Sequence, residues 1–167
     1  EMKSTSWQKA SKWYQENVGE EGHYYHQHVI LPNILPLLDE KTTLLDLACG
    51  QGVLGRKTEV SKYVGVDLAP SLIQYAKKND KNRNHLYQVQ DVTKPFDLKE
   101  KFNTATCILA IQNFDPLLPF MKNAHKHLET EGRFLIVMNH PCFRIPRQSS
   151  WGVDEPKKIQ YRRIDRY

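Results

Sequence analysis

The feature that most constrains this chain is the stretch Thr43-Leu44-Leu45-Asp46-Leu47-Ala48-Cys49-Gly50-Gln51-Gly52. Apolar and β-branched residues lead into an acid, and two glycines one residue apart then open a new segment. A continuous apolar run bounded by glycines reads as a buried parallel strand feeding a tight turn. Gly50 and Gly52 have no Cβ, so the backbone can bend sharply there and a ligand can approach it closely. Val53-Leu54-Gly55-Arg56-Lys57 starts a helix whose first N–H groups face back toward the turn. In open α/β sheets, this place outside the carboxyl end of the first strand is where nucleotides bind.

Gly50, Gly52 and Gly55 satisfy G-x-G-x-x-G, a pattern shared with dinucleotide-binding folds, so NAD is the rival ligand. Asp46 separates the alternatives. A pyrophosphate over this turn would face a carboxylate at the strand tip, at a cost of several kcal/mol in a partly dry site. A ligand with a cationic amine and no phosphate gains from the same charge. S-adenosylmethionine, with an α-amino group and a sulfonium, is such a ligand. A second acid ends the next strand, Tyr63-Val64-Gly65-Val66-Asp67-Leu68, where a carboxylate can accept bonds from both ribose hydroxyls.

The segment Leu45 to Gly52, followed by Val64-Gly65-Val66-Asp67-Leu68-Ala69-Pro70-Ser71-Leu72-Ile73, resembles the class I S-adenosylmethionine-dependent methyltransferases. The likeness covers about residues 25 to 140. It implies a doubly wound α/β fold: a mostly parallel Rossmann-like sheet with helices on both faces. It implies S-adenosylmethionine as methyl donor and S-adenosylhomocysteine as product. Carried onto this sequence, it assigns cofactor contacts to Asp46, Ala48, Gly50, Gln51 and Gly52 in the turn, and to Asp67 and Leu68 after the second strand. Asp91 would meet the adenine amino group, Val92 would pack on the ring, and Leu109 would end the fourth strand at the exit loop Ala110-Ile111-Gln112-Asn113-Phe114, which normally faces the methyl group. Asp91 has a rival reading as a loop cap.

Around this centre the pattern alternates. Trp7, Ala10, Trp13, Tyr14 and Val18 have helical spacing over residues 4 to 18. A second apolar helix runs from Val29 to Leu38, with Pro32 in its early turns and Pro36 kinking or ending it. In the family such N-terminal helices cover the cofactor cleft, so residues 1–40 are read as a lid, 41–138 as the cofactor-binding core and 139–167 as a basic irregular tail. Tyr24, Tyr25, His26 and His28 either reach the cofactor or substrate from the lid or pack between two helices. His26 and His28 do not share a helix face and no Cys or carboxylate cluster joins them, so a metal site is not expected. Pro70 to Lys78 is a helix, His85 to Gln90 a third strand and Phe102 to Leu109 a fourth. Asp115 is read as the cap of the next helix, with Pro116 its first residue and Leu117, Leu118, Met121, Ala124 and Leu128 its buried stripe. Gly132 to Met138 is the fifth strand. Strands and helices alternate throughout, which makes the sheet parallel.

After Met138 the periodicity stops, and the one further helix and antiparallel hairpin usual in the family are missing. The chain therefore reads as a fragment or part of a longer protein. Methyl transfer from a sulfonium is an in-line displacement that mainly needs positioning and exclusion of water. Candidates near the right strand ends are His140, to deprotonate an acceptor, Asn139 and Asn113, to orient it, and Arg144. The stretch from Asn139 to Trp151, with His140, Arg144, Arg147 and Trp151, suits an anionic or aromatic acceptor. Asn139-His140-Pro141-Cys142-Phe143 matches neither the Asn-Pro-Pro-aromatic loop of base amino-methyltransferases nor, without a second Pro-Cys after strand four, the RNA cytosine-5 enzymes.

Composition bounds the partners. The chain has 167 residues, room for one domain with a sizeable core. The net charge of +5 is concentrated from Arg144 to Tyr167, where seven Lys and Arg stand against three acids. That segment is a solvated basic tail or an RNA- or protein-docking surface. Three scattered cysteines argue against a disulfide framework, and no apolar run suggests a membrane span, so the reading is cytoplasmic. The expected partner is a small-molecule methyl acceptor. RNA or protein modification is the alternative, and a non-catalytic cofactor-binding subunit is a third.

Overall fold

The computed structural model describes residues 22–140 and 149–164. The chain divides into two compact units, residues 1–137 and 138–167. The helix expected over residues 4 to 18 lies outside the described residues.

In the first unit a parallel sheet has the order β3-β2-β1-β4-β5. Its strands are β1 (Thr43–Leu47), β2 (Lys62–Asp67), β3 (His85–Val89), β4 (Phe102–Ile108) and β5 (Leu128–Val137). All four pairings are parallel. The helical segment before β1 has a π-helical turn, His26–Ile30, the short helix α1 (Leu31–Ile34) and a 3₁₀ turn, Leu35–Leu37. Pro36 sits in that last turn, and Leu38 is already extended. Helices α2 (Val53–Lys57), α3 (Pro70–Asn79) and α4 (Leu117–His127) follow β1, β2 and β4.

Strand alternation divides the core between the two faces of the sheet. Leu44, Tyr63 and Tyr87 face Ile30, Leu31 and Ile34 of the N-terminal segment, Val53 and Leu54 of α2 and Ile73 and Ala76 of α3. Leu45, Leu47, Val64, Val66, Ala105 and Cys107 face Phe120 and Ala124 of α4, together with Val92 and Phe96.

The buried stripe of α4 is not the one expected. Phe120, Asn123, Ala124 and His127 are buried at i, i+3, i+4, i+7, while Leu117, Leu118 and Met121 are exposed. Polar chemistry explains the rotation. Asn123 Nδ2 donates to the carbonyls of Val92 and Lys94, both at 2.8 Å, and His127 Nε2 accepts from the N–H of Leu98 at 3.2 Å. The helix thus satisfies the backbone of the loop after β3, which an apolar stripe could not do. The helix start also shifts by one: Pro116 is at the cap position, with no side-chain cap, and Asp115 precedes it. The fifth strand begins earlier than expected, at Leu128, with a register irregularity before Arg133 pairs with Thr104.

The second unit corrects the expectation of an irregular tail without a hairpin. β6 (Ser149–Asp154) and β7 (Ile159–Ile164) form an antiparallel two-stranded sheet. Alternation places Trp151 opposite Arg162, whose guanidinium carbon lies 5.3 Å from the Trp ring centroid. The turn is closed by Lys158 at φ 53°, the N–H of which donates to the carbonyl of Glu155 at 3.2 Å. The hairpin is hard to read from sequence because Trp151, Val153, Ile159 and Tyr161 divide between its two faces. No helix among the described residues is long and apolar enough to cross a membrane.

Candidate active site

The strand order reverses between β1 and β4, and a cleft opens at the carboxyl ends of these strands, where open α/β sheets take their ligands. It has a volume of about 250 Å³. Ala48 and Gly50 line it after β1, Asp67 and Leu68 at the end of β2, and Asp91, Val92 and Thr93 after β3. Ile108, Leu109, Ala110, Asn113, Phe114 and Asp115 line it at and after β4, and Leu72 from α3.

Backbone conformation brings the two central strand tips to the wall. Ala48 and Leu109 both adopt left-handed geometry, φ 60° and 53°. Side chains other than glycine take that geometry at a cost of about 1–3 kcal/mol each, and it persists where the surroundings hold it. Hydrogen bonds do so here: Cys49 N–H donates to Val66 O at 3.0 Å and Leu109 N–H to Val137 O at 2.8 Å. Gly50 and Gly52, φ 56° and 75°, complete the turn without that cost.

Three carboxylates surround the turn in different states. Asp67 is half-buried, and its oxygens accept from Gly50 N–H and Ala69 N–H, both at 2.9 Å. Burial pushes its pKa above the ordinary carboxylate value, opposed by those N–H groups. Each oxygen keeps a further lone pair, so the group can still accept two hydroxyls. Asp91 caps its own turn: Oδ1 accepts from Thr93 N–H at 3.0 Å and Thr93 Oγ1 at 2.6 Å, and Oδ2 lies 3.2 Å from Lys94 Nζ. Burial pulls its pKa up, but these partners outweigh it and hold the carboxyl low. Asp91 thus caps its loop, as the rival reading has it, and also lines the cleft. Asp46 is buried beneath the turn, with Oδ2 accepting from Tyr63 Oη at 2.8 Å and Oδ1 from Thr106 Oγ1 at 2.7 Å. Burial raises its pKa to about 6 against those two bonds, with the nearby Asp67 charge adding to the rise.

Of the expected cofactor residues, Ala48, Gly50, Asp67, Leu68, Asp91, Val92 and Leu109 share the cleft wall, whereas Asp46, Gln51 and Gly52 do not. Asp46 binds across β1, β2 and β4 instead, and Gln51 is buried. Tyr24, Tyr25, His26 and His28 are not on the wall either. Tyr24 packs against His28 with the rings tilted and their centroids 4.4 Å apart, and both tyrosines are exposed. Asn139 and His140 belong to the second unit, and Arg144 lies outside the described residues. Ala110, Asn113 and Phe114 of the exit loop are on the wall, and Thr93 and Asp115 are wall residues that sequence reasoning does not single out. The sequence reads Asp115 as a helix cap, and its place directly after the exit loop of the fourth strand is the signal that could find it.

The wall fits a nucleoside that carries positive charge. Among the described residues it presents a carboxylate able to take a vicinal diol, apolar surface at Leu68, Leu72 and Val92, three acids and no Lys, Arg or His. Fold and site together define a Rossmann-like nucleoside-binding domain. The profile of the methyltransferase-domain family matches residues 38–148. The chain belongs to this family of class I S-adenosylmethionine-dependent methyltransferases, whose cofactor is S-adenosylmethionine. No curated relative matches the chain. Among solved structures, an S-adenosylmethionine-dependent methyltransferase from Mesorhizobium loti is similar at 23% identity and TM-score 0.71, over 89% of this chain and 67% of that one. A TehB-like methyltransferase from Corynebacterium glutamicum is similar at 22% identity and TM-score 0.62, over 77% of this chain and 70% of that one. A putative methyltransferase of Haloferax volcanii, solved in complex with the Trm112 methyltransferase activator, is similar at 18% identity and TM-score 0.60, over 77% of this chain and 57% of that one.

Proposed function

We propose that this chain transfers a methyl group from S-adenosylmethionine to a small-molecule acceptor. The observation that carries the choice of acceptor is the charge of the cleft: among the described residues Asp67, Asp91 and Asp115 line the wall without a cation, Lys94 standing outside it and paired to Asp91. A phosphate backbone approaching such a wall meets like charge, whereas a neutral or cationic small molecule does not. When bound, the cofactor supplies an electrophilic methyl carbon on a sulfonium. Asp67 then holds the ribose hydroxyls, Asp91 and Val92 the adenine, and Ala48 and Gly50 flank the methionine part. Leu109, Ala110, Asn113 and Phe114 shape the acceptor end and keep water out, which is most of what an in-line methyl transfer requires. Asn139, His140 and Arg144 follow β5 in the chain and remain the candidates for orienting and deprotonating the acceptor.

A second reading has its own support. The hairpin carries Arg162 against the exposed Trp151 and Lys157 and Lys158 in its turn, basic and aromatic groups of the kind that suit RNA or an acidic protein. A third, a cofactor-binding subunit without activity of its own, draws only on the Haloferax protein having been solved with an activator. Incubation with methyl-labelled S-adenosylmethionine and either small nucleophiles, RNA or protein separates the three. Label in a small molecule supports the proposal. Label in RNA, with binding that weakens steeply as salt rises, favours the second reading. Cofactor binding with no acceptor methylated in any pool favours the third.

A further inference from the structure

We propose that Tyr87 is a positioning residue for the cofactor, acting through the glycine turn, with Asp80 as its anchor. This rests on the cofactor reading above. Tyr87 lies on β3 opposite Gly65 of β2, and Gly65 leaves an opening over which its ring extends. A Cβ on Gly65 would stand 3.0 Å from Tyr87 Cδ1. The ring reaches as far as the turn itself. A Cβ on Gly52 would stand 2.8 Å from Tyr87 Oη and 2.9 Å from Cε1, and a Cβ on Gly55 would collide with the same hydroxyl. Three glycines on three elements therefore make room for one phenol. Of the G-x-G-x-x-G pattern, only Gly50 lines the cleft; Gly52 and Gly55 seat Tyr87.

The phenol is held in place. Tyr87 Oη donates to Asp80 Oδ2 at 2.5 Å, and His85 Nδ1 lies 2.8 Å from the same oxygen. Asp80 Oδ1 accepts from Asn82 N–H at 2.9 Å, and the N–H of Asp80 caps α3 through Ala76 O at 2.9 Å. Tyr87 is itself buried, at 4% exposure. The ring is thus a rigid spacer between the end of α3 and the underside of the turn that carries Ala48 and Gly50. Close packing transmits its position directly. Removing the hydroxyl releases the ring from Asp80, which keeps His85 and the Asn82 N–H, and removing the ring lets the turn sink away from the cleft.

The test titrates S-adenosylhomocysteine calorimetrically into the whole chain as wild type, Tyr87→Phe, Tyr87→Leu, Asp80→Asn and Phe102→Leu, each at a temperature where its melting curve shows it folded. Phe102 is a buried residue at the amino end of β4, remote in the strand from the cleft, and serves as a destabilised control. Tyr87→Phe is expected to bind about tenfold more weakly and Tyr87→Leu more weakly still. Asp80→Asn keeps an oxygen for the phenol and stays within about threefold of wild type, and Phe102→Leu keeps full affinity. A second readout follows the turn without ligand: in a Cys142→Ser background, the Cys49 thiol of Tyr87→Phe reacts with a thiol reagent several-fold faster than in the Tyr87 parent. Equal affinity for wild type, Tyr87→Phe and Tyr87→Leu overturns the inference. So does a loss in Phe102→Leu that matches Tyr87→Phe at the same drop in melting midpoint. If Tyr87→Leu does not fold, Tyr87→Phe decides. If wild type itself binds no S-adenosylhomocysteine, the cofactor reading fails instead, and the Cys49 rate alone decides whether Tyr87 holds the turn, an unchanged rate counting against it.

Discussion

Asp46, buried beneath the glycine turn, ties three strands of the sheet together. Its carboxylate does not reach the cleft but joins β1 to β2 through Tyr63 and to β4 through Thr106. Sequence could place an acid at the strand tip but not say which face it takes, because Leu44, Asp46 and Leu45 all sit in one apolar run. The consequence is a pH dependence. The folded pKa of about 6 lies above the ordinary 3.8, so the folded state holds this proton more tightly than the unfolded one. Its contribution favours folding below about pH 4 and is lost as pH rises through about 6, by up to about 3 kcal/mol. Asp46→Asn removes that loss. Urea unfolding of both proteins at pH 4, 5.5 and 7 (conditions chosen to span the window) is expected to show the variant gaining on wild type with pH. A constant difference across the series would mean that Asp46 does not titrate in the fold.

At the scale of elements, helices and strands were legible where apolar periodicity was strong, and misread where a polar group governed the packing. β1, β2 and α3 follow their patterns closely. Helix α4 does not, because Asn123 and His127 turn inward to satisfy loop carbonyls and N–H groups, leaving Leu117 and Leu118 outside. Asn123→Ala is expected to leave the carbonyls of Val92 and Lys94 without this donor and to cost about 2–3 kcal/mol in stability by chemical unfolding. Because Asp91, Val92 and Thr93 form one wall of the cleft, the same variant is expected to weaken S-adenosylhomocysteine binding several-fold. Unchanged stability would show that the helix is held by Phe120 and Ala124 alone. The hairpin is obscure for a different reason: Trp151 and Val153 of β6 lie on one face and Ile159 and Tyr161 of β7 on the other, so the two strands share no apolar side.

For the whole molecule, the glycine turn and two strand-end acids were enough to fix the sheet class and the end of the sheet that holds the site. What they could not fix was the division of labour among the glycines, since contacts of Gly52 and Gly55 with Tyr87 join residues more than 30 positions apart. Nor could they place Asp115, whose role in the wall depends on where α4 begins. The account stands on the cleft at the β1–β4 switch binding a nucleoside through Asp67. The most direct test is calorimetric titration of S-adenosylhomocysteine into wild type and Asp67→Ala, with NAD as competitor. Wild type is expected to bind at one site, Asp67→Ala to lose about 2–4 kcal/mol of affinity with the fold intact, and NAD to bind at least about 100-fold more weakly. Equal affinity in the two proteins, or NAD binding as tightly as S-adenosylhomocysteine, would contradict the account.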